Sequence, residues 1–238
     1  MNILLQKPKK ISTLELLAYY DPVRQIIQSQ QGQQLLDYTG NNNHGIFGSV
    51  EGGVDNNDPI WEGDNLHYDT DDYTSHPLAI FSPLAGTFEV VFNAIDSYGG
   101  LRVLGSDHSV GNNSENRTYI DGNMLFGLSL FNGVTSARAT ITLPLLVNTI
   151  YTCSWYYNGV NTRMYSYFNG KPIVSTALNG MVVAPNLKLY MGWWSATNYS
   201  RFKLFRSLFY NRQLSSSEIW NNYVAHKKEL KINGVILP

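Results

Sequence analysis

The chain has 238 residues, of which 13% are aromatic and only 15% charged, with sixteen Tyr and a net charge of −1. That length is enough to bury a large core, and the aromatic content favours strands and argues against disorder. Near-neutrality excludes a global nucleic-acid footprint or a basic membrane surface.

Residues 1–13 read as an extended arm with Lys7, Lys9 and Lys10 around Pro8. They lack the apolar run and cleavage site of a signal peptide. Leu14–Tyr20 (LELLAYY) is apolar enough to be the first strand, and Asp21 before Pro22 opens a turn or a single helical turn. Asp37–Gly48 is an Asn/Gly loop whose residue types tolerate positive φ. His44 within it reads as a hydrogen bonder that pins the loop. Short strands follow between Ile46 and Tyr73. Thr87–Ile95 (TFEVVFNAI) alternates and predicts a strand, with Leu101–Leu104 as its hairpin partner. Residues 105–118 form a polar loop. Strands resume at Tyr119-Ile120, Met124–Phe131, Ala137–Leu143, Ile150–Tyr157 and Arg163–Phe168.

Cys153, the single cysteine, lies in YTCSWYY and reads as a small buried core residue, since one thiol closes no internal disulfide. Asn169-Gly170 is a two-residue hairpin signal joining Met164–Phe168 to Pro172–Ser175. Leu187–Trp194 and Arg201–Tyr210 complete the strands. Ser215 and Glu218 then form a capping box, with Leu214 and Ile219 placed as a hydrophobic staple. Ile219, Trp220, Tyr223 and Val224 follow at helical spacing, and Lys227 and Lys228 sit where cations suit a helix C-terminus. No run approaches the roughly 18 apolar residues of a membrane span, so no membrane insertion is expected.

Four segments carry a family resemblance: LLDYTGNNNHGIFG, LHYDTDDYT, IYTCSWYYNGVNTRMYSYFNG and FKLFRSLFYNRQLSSSEI. In this order they resemble the entry loop, strand and turn, hairpin and closing strand of the laminin-G-like, concanavalin A-like superfamily. Thr39, Thr70, Asn158 and Leu204 depart from its usual residues. The resemblance spans roughly Leu14 to Lys228. It implies an all-β fold, a two-sheet antiparallel jelly-roll sandwich with one short C-terminal helix, whose first and last strands lie side by side. It also implies the division into an arm (1–13) and a single domain (14–238). A domain beginning at its own Met without a signal sequence looks most like the virion proteins of tailed phages.

The residues point away from catalysis. Glycoside hydrolysis needs two carboxylates across the scissile bond, and none of the seven Glu sits in an E-x-D-x-E or E-x-D-x-x-E pattern. There is no G-x-S-x-G elbow, and the five His show no metal-ligand spacing. No cofactor is expected, except that Asp107, Asn112, Asn113, Glu115 and Asp121 offer oxygens to Ca2+. Sugar binding would use exposed aromatic faces. Trp194 with Tyr199 is the first candidate, because one of two consecutive Trp in a strand points outward; Tyr98 and Tyr119 come next.

Charge is uneven along the chain. Residues 1–121 hold 16 acidic and 6 basic side chains, and residues 122–238 hold 2 and 11. Either the sandwich interleaves the halves, or the surface is polarised for contact with copies of itself or a shell. The expectation is therefore a non-enzymatic virion component, decorating a capsid or forming part of a tail. Its partners would be other virion proteins, with the arm at Lys7, Lys9 and Lys10 as anchor. The alternative is an adhesin that binds a host-surface glycan through Trp194 and Tyr199.

Overall fold

The computed structural model describes residues 10–48, 56, 58–69, 72–76, 82–95, 103, 105–106, 117–120, 125–142, 144–182, 189–192 and 201–238. The chain opens with β1 (Leu16–Tyr20), the short helix α1 (Pro22–Ile27), β2 (Gln34–Leu35) and β3 (Gly45–Phe47). Next come β4 (Ile60–Glu62), β5 (Asn65–Tyr68), β6 (Tyr73–His76) and β7 (Ala85–Ala94). Then follow β8 (Gly105–Ser106), β9 (Arg117–Ile120), β10 (Leu125–Phe131), β11 (Ser136–Thr142) and β12 (Asn148–Tyr157). β13 (Asn161–Phe168), β14 (Lys171–Asn179), β15 (Leu189–Gly192), β16 (Phe202–Tyr210) and α2 (Ser216–Ile232) complete it.

These strands form two eight-stranded antiparallel sheets in a jelly-roll-like sandwich. The first runs β14-β13-β12-β7-β16-β5-β4, with β1 also on β16; the second runs β11-β10-β9-β8-β15-β6-β3-β2. The first and last strands do pair, Tyr20 opposite Ser207. Phe88, Val90 and Phe92 of β7 meet Tyr151, Cys153 and Trp155 of β12, with Phe202, Leu204 and Phe209 of β16, in the main core. Burial pushes the Cys153 thiol up to about 12, so it stays protonated.

Both edges of β7 are taken, by β12 and β16. Of its expected hairpin partner Leu101–Leu104, Leu101, Arg102 and Leu104 lie outside the described residues and Val103 is in no described strand. The Asn169-Gly170 turn does join β13 to β14, with both residues at positive φ (49° and 74°). A Cβ on Gly170 would lie 2.8 Å from the Tyr223 Cβ, so the turn also serves as a seat for α2.

α2 starts as its sequence predicts, with both capping-box bonds formed and Leu214 and Ile219 buried. It runs on to Ile232, so Lys227 and Lys228 lie inside it and Lys231 occupies the last turn. The helix and the tail after it cover part of the outer face of the first sheet. Two apolar clusters join them, one around Val91, Ile150, Tyr223, Leu230 and Val235, the other around Tyr167, Leu208, Leu214 and Ile219. β7 is consequently buried on both faces.

The entry loop is organised by Asp37, whose carboxylate accepts from the backbone of Tyr19, Thr39 and Asn43 and from the Thr39 hydroxyl. Thr39 thus supplies the hydroxyl its motif needs. His44 Nδ1 accepts from the Asp37 N–H at 3.0 Å, the pinning role expected of it. Below the loop, Tyr20 donates to the Asn43 carbonyl, and its hydroxyl lies 2.9 Å from His76 Nδ1. Burial holds His76 neutral, at about 3. Its usual value is near 6.5, so the unfolded chain takes up this proton first as pH falls. Stability from this site is complete above about pH 6.5 and declines toward pH 3, by at most about 1.4 kcal/mol per pH unit. In urea denaturation at a series of pH values, His76→Phe should flatten that slope; an unchanged slope would count against the assignment.

Candidate functional site

Strand alternation alone would send Arg206 into the core beside Phe202 and Leu204. It does not go there. A register shift between Leu204 and Arg206 places Phe205 as an extra residue, so that Leu204 faces Phe92 while Arg206 faces Val91. Such a bulge reverses the parity of the strand beyond it and turns Arg206 to the outer face. There it meets α2, which presents Asn222 and His226, four residues apart and on one side of the helix.

Arg206 Nη1 donates to His226 Nδ1 at 3.0 Å. A guanidinium only donates, so Nδ1 accepts and the proton sits on Nε2, which donates to Glu89 Oε1 at 2.7 Å. Glu89 also accepts from Thr152 on the neighbouring strand, and Asn222 reaches both Glu89 and the Tyr210 hydroxyl. Glu89 and His226 have no solvent exposure.

Toward solvent, Arg206 Nη2 donates to Asp21 Oδ2 at 2.6 Å, and Nη1 donates to Glu229 Oε2 at 3.0 Å. Arg206 and Asp21 are buried, whereas Glu229 is half-exposed. Burial works against the guanidinium's charge, yet Asp21 and the other anionic neighbours more than offset it and raise its pKa. The other oxygen of Asp21 caps α1 by accepting from the Arg24 N–H, with Pro22 in the first turn. Tyr19 donates to Asp21 at 2.7 Å and lies under Arg206, 5.5 Å from the guanidinium. The Nε–H of Arg206 is buried and finds no partner among the described residues.

Above this floor lies a cleft of about 370 Å³. Arg24 and Ile27 of α1 with its C-cap Gln28 form one wall, and Glu229, Ile232 and Asn233 at the end of α2 form the other. Ile27 and Ile232 are 60% and 78% exposed, which gives the rim two aliphatic faces. Arg24 lies over the Tyr38 ring at 4.1 Å and leaves its charge at the mouth. The cleft therefore offers fixed donors, fixed acceptors and apolar surface within one opening. Among the described residues no group of three or more His, Cys, Asp or Glu is placed to hold a metal ion.

Among the described residues, none proposed from sequence lines this cleft. Trp194, Tyr199 and Tyr98 lie outside the described residues, as do Lys7, Lys9 and the five oxygen donors suggested for Ca2+. Tyr119 belongs to β9, but its side chain is not described; Lys10 is exposed. The sequence holds one signal for the cleft, Asp21-Pro22 ahead of a helical turn. Nothing local announces the Phe205 bulge.

No protein-family model and no curated protein matches the chain. Solved structures do. A Trypanosoma rangeli sialidase in complex with 2,3-difluorosialic acid superposes with a TM-score of 0.65 at 16% identity, over 91% of this chain and 34% of the sialidase. The botulinum neurotoxin type G receptor-binding domain gives 0.63 at 10% identity, over 88% of this chain and 51% of that domain. The receptor-binding domain of the C/D mosaic serotype gives 0.61 at 13% identity, again with 88% and 51% coverage. The chain shares their fold. At these identities the likeness reaches the β-sandwich and no further, and the chain spans 34% of the sialidase and 51% of the toxin domains.

One expectation is overturned. The residues point to a chain that is not an enzyme, yet this sandwich occurs within sialidases, which are enzymes, so the missing carboxylate motifs do not support that exclusion.

The buried and exposed partners of Arg206 separate in a stability measurement. Arg206→Met leaves buried Asp21 without its cation and should cost about 3–5 kcal/mol, whereas Glu229→Gln, at a half-exposed pair, should cost under about 1 kcal/mol. Urea denaturation of the two variants decides this; equal losses would show that burial of the ion pair is not what matters.

Proposed function

We propose that this chain is a glycan-binding module and that the cleft above Arg206 holds the saccharide. The observation that carries this reading is the cleft's mixed lining. A sugar ring has an aliphatic face and an edge of hydroxyls that both donate and accept. Ile27 and Ile232 suit the face; Glu229 accepts, while Arg24 and the Asn233 and Gln28 amides donate. The floor is held by buried hydrogen bonds, so few groups need to be ordered on binding.

The shared sandwich agrees with this, since the structures that have it include a sialidase in complex with sialic acid and domains named for receptor binding. Those activities belong to those proteins. Placement on a phage particle rests on the sequence resemblance alone, and residues 1–9 of the expected anchoring arm lie outside the described residues. A glycan-contacting head fits such a particle as well as it fits a cell-surface protein or part of a larger enzyme.

A glycan array probed with the wild-type chain, Arg24→Ala and Glu229→Gln tests the reading. At least one neutral oligosaccharide should bind the wild type, and each variant should weaken that binding by about tenfold, or ~1.4 kcal/mol, with a nearly unchanged melting curve. An array with no signal, or variants that bind like the wild type, would refute it.

A further inference from the structure

The outer face of the first sheet is not covered along its whole width. Where α2 begins, Ser216 bonds the Tyr167 hydroxyl at 3.0 Å and Tyr167 is buried. Two and four residues back along β13, on the same face, Tyr165 is half-buried and Arg163 exposed. On the flanking strands, Tyr156 is diagonal to Tyr165, and Ser175 and Ala177 lie directly opposite Tyr165 and Arg163. The two tyrosine rings are parallel, 3° apart in plane with centroids separated by 6.3 Å. Arg163, Tyr165, Ser175, Thr176 and Ala177 line a groove of about 240 Å³.

The strands that carry this groove hold no acidic residue: β12, β13 and β14 contain no Asp or Glu, and their charged residues are Arg163 and Lys171. Among the described residues Arg163 makes no ion pair. An exposed guanidinium beside aromatic rings and the Ser175 hydroxyl is complementary to one chemistry in particular: a pyranose that carries a carboxylate. The guanidinium fork matches a carboxylate in two hydrogen bonds, the ring face takes the pyranose C–H groups, and the hydroxyl meets the sugar's own.

We propose that this groove is a second site, separate from the Arg206 cleft, and that it binds an acidic saccharide through Arg163 and Tyr165. Calorimetric titration of the full chain tests it with two carboxylated probes, tetragalacturonate and sialyllactose. Methyl-esterified tetragalacturonate and lactose serve as the uncharged controls. At least one acid should bind ten times or more tighter than its control, and its affinity should fall as NaCl rises from about 50 to about 500 mM. Arg163→Gln, an exposed substitution, should weaken that binding at least tenfold at an unchanged melting temperature, and Tyr165→Ala should weaken it as well. Glu229→Gln, in the other cleft, should leave it unaltered. Which of the two probes binds separates a uronate from a sialate ligand. The proposal fails if neither acid binds, if the controls bind equally well, or if Arg163→Gln binds as the wild type does. Loss of binding in Glu229→Gln but not in Arg163→Gln would move the acid to the Arg206 cleft and equally end it.

Discussion

The arrangement depends on one buried guanidinium. Arg206 sits on β16, between β7 and the strands β5 and β1, and its bonds reach α1 through Asp21 and α2 through His226 and Glu229. Desolvating such a group is costly, and the cost is offset only where each charge keeps well-placed partners. Here the chain of bonds continues from Tyr19 and Asp21 through Arg206 and His226 to Glu89 and Thr152. An apolar layer would have held the helix against the sheet as firmly. A polar line adds a requirement of register, because Asn222 and His226 satisfy their partners in one docking position.

That register has a consequence at the surface. α1 is capped by the carboxylate that Arg206 holds, and the C-terminal turn of α2 carries the Glu229 that Arg206 also holds. The two walls of the cleft are therefore set by the same side chain that forms its floor. A site built this way is shaped before any ligand arrives, which lowers the entropy cost of binding. The sandwich supplies the rigid body, and its likeness to parts of a sialidase and of toxin receptor-binding domains says what body it is, not what it does.

Much of the fold is legible in the residues because its signals are local. The Ser215–Glu218 capping box, the Asn169-Gly170 turn, the Asp37–Gly48 loop and the alternation of Thr87–Ile95 each depend on neighbours a few positions away. Strand pairing is harder to read, because proximity in sequence is not proximity in the sheet: β7 is flanked by strands that begin about 60 and about 120 residues after it does. In α2, the stripe of Ile219 and Tyr223 is readable, but Asn222 and His226 look like solvent-facing residues until Glu89 is brought over them from more than a hundred residues away. The candidate site is illegible for the same reason. Its central residue reaches the outer face through a bulge, and a bulge has no signature in a stretch as regular as FKLFRSLFY.

The glycan reading stands or falls on where a sugar sits. The most direct measurement is a crystal structure of the chain with its tightest-binding neutral oligosaccharide, which lacks the carboxylate that the Arg163 groove would take. A pyranose ring is predicted between Ile27 and Ile232, with hydroxyls within hydrogen-bonding distance of Glu229 and Arg24. A saccharide bound elsewhere, with the cleft above Arg206 vacant, would contradict it.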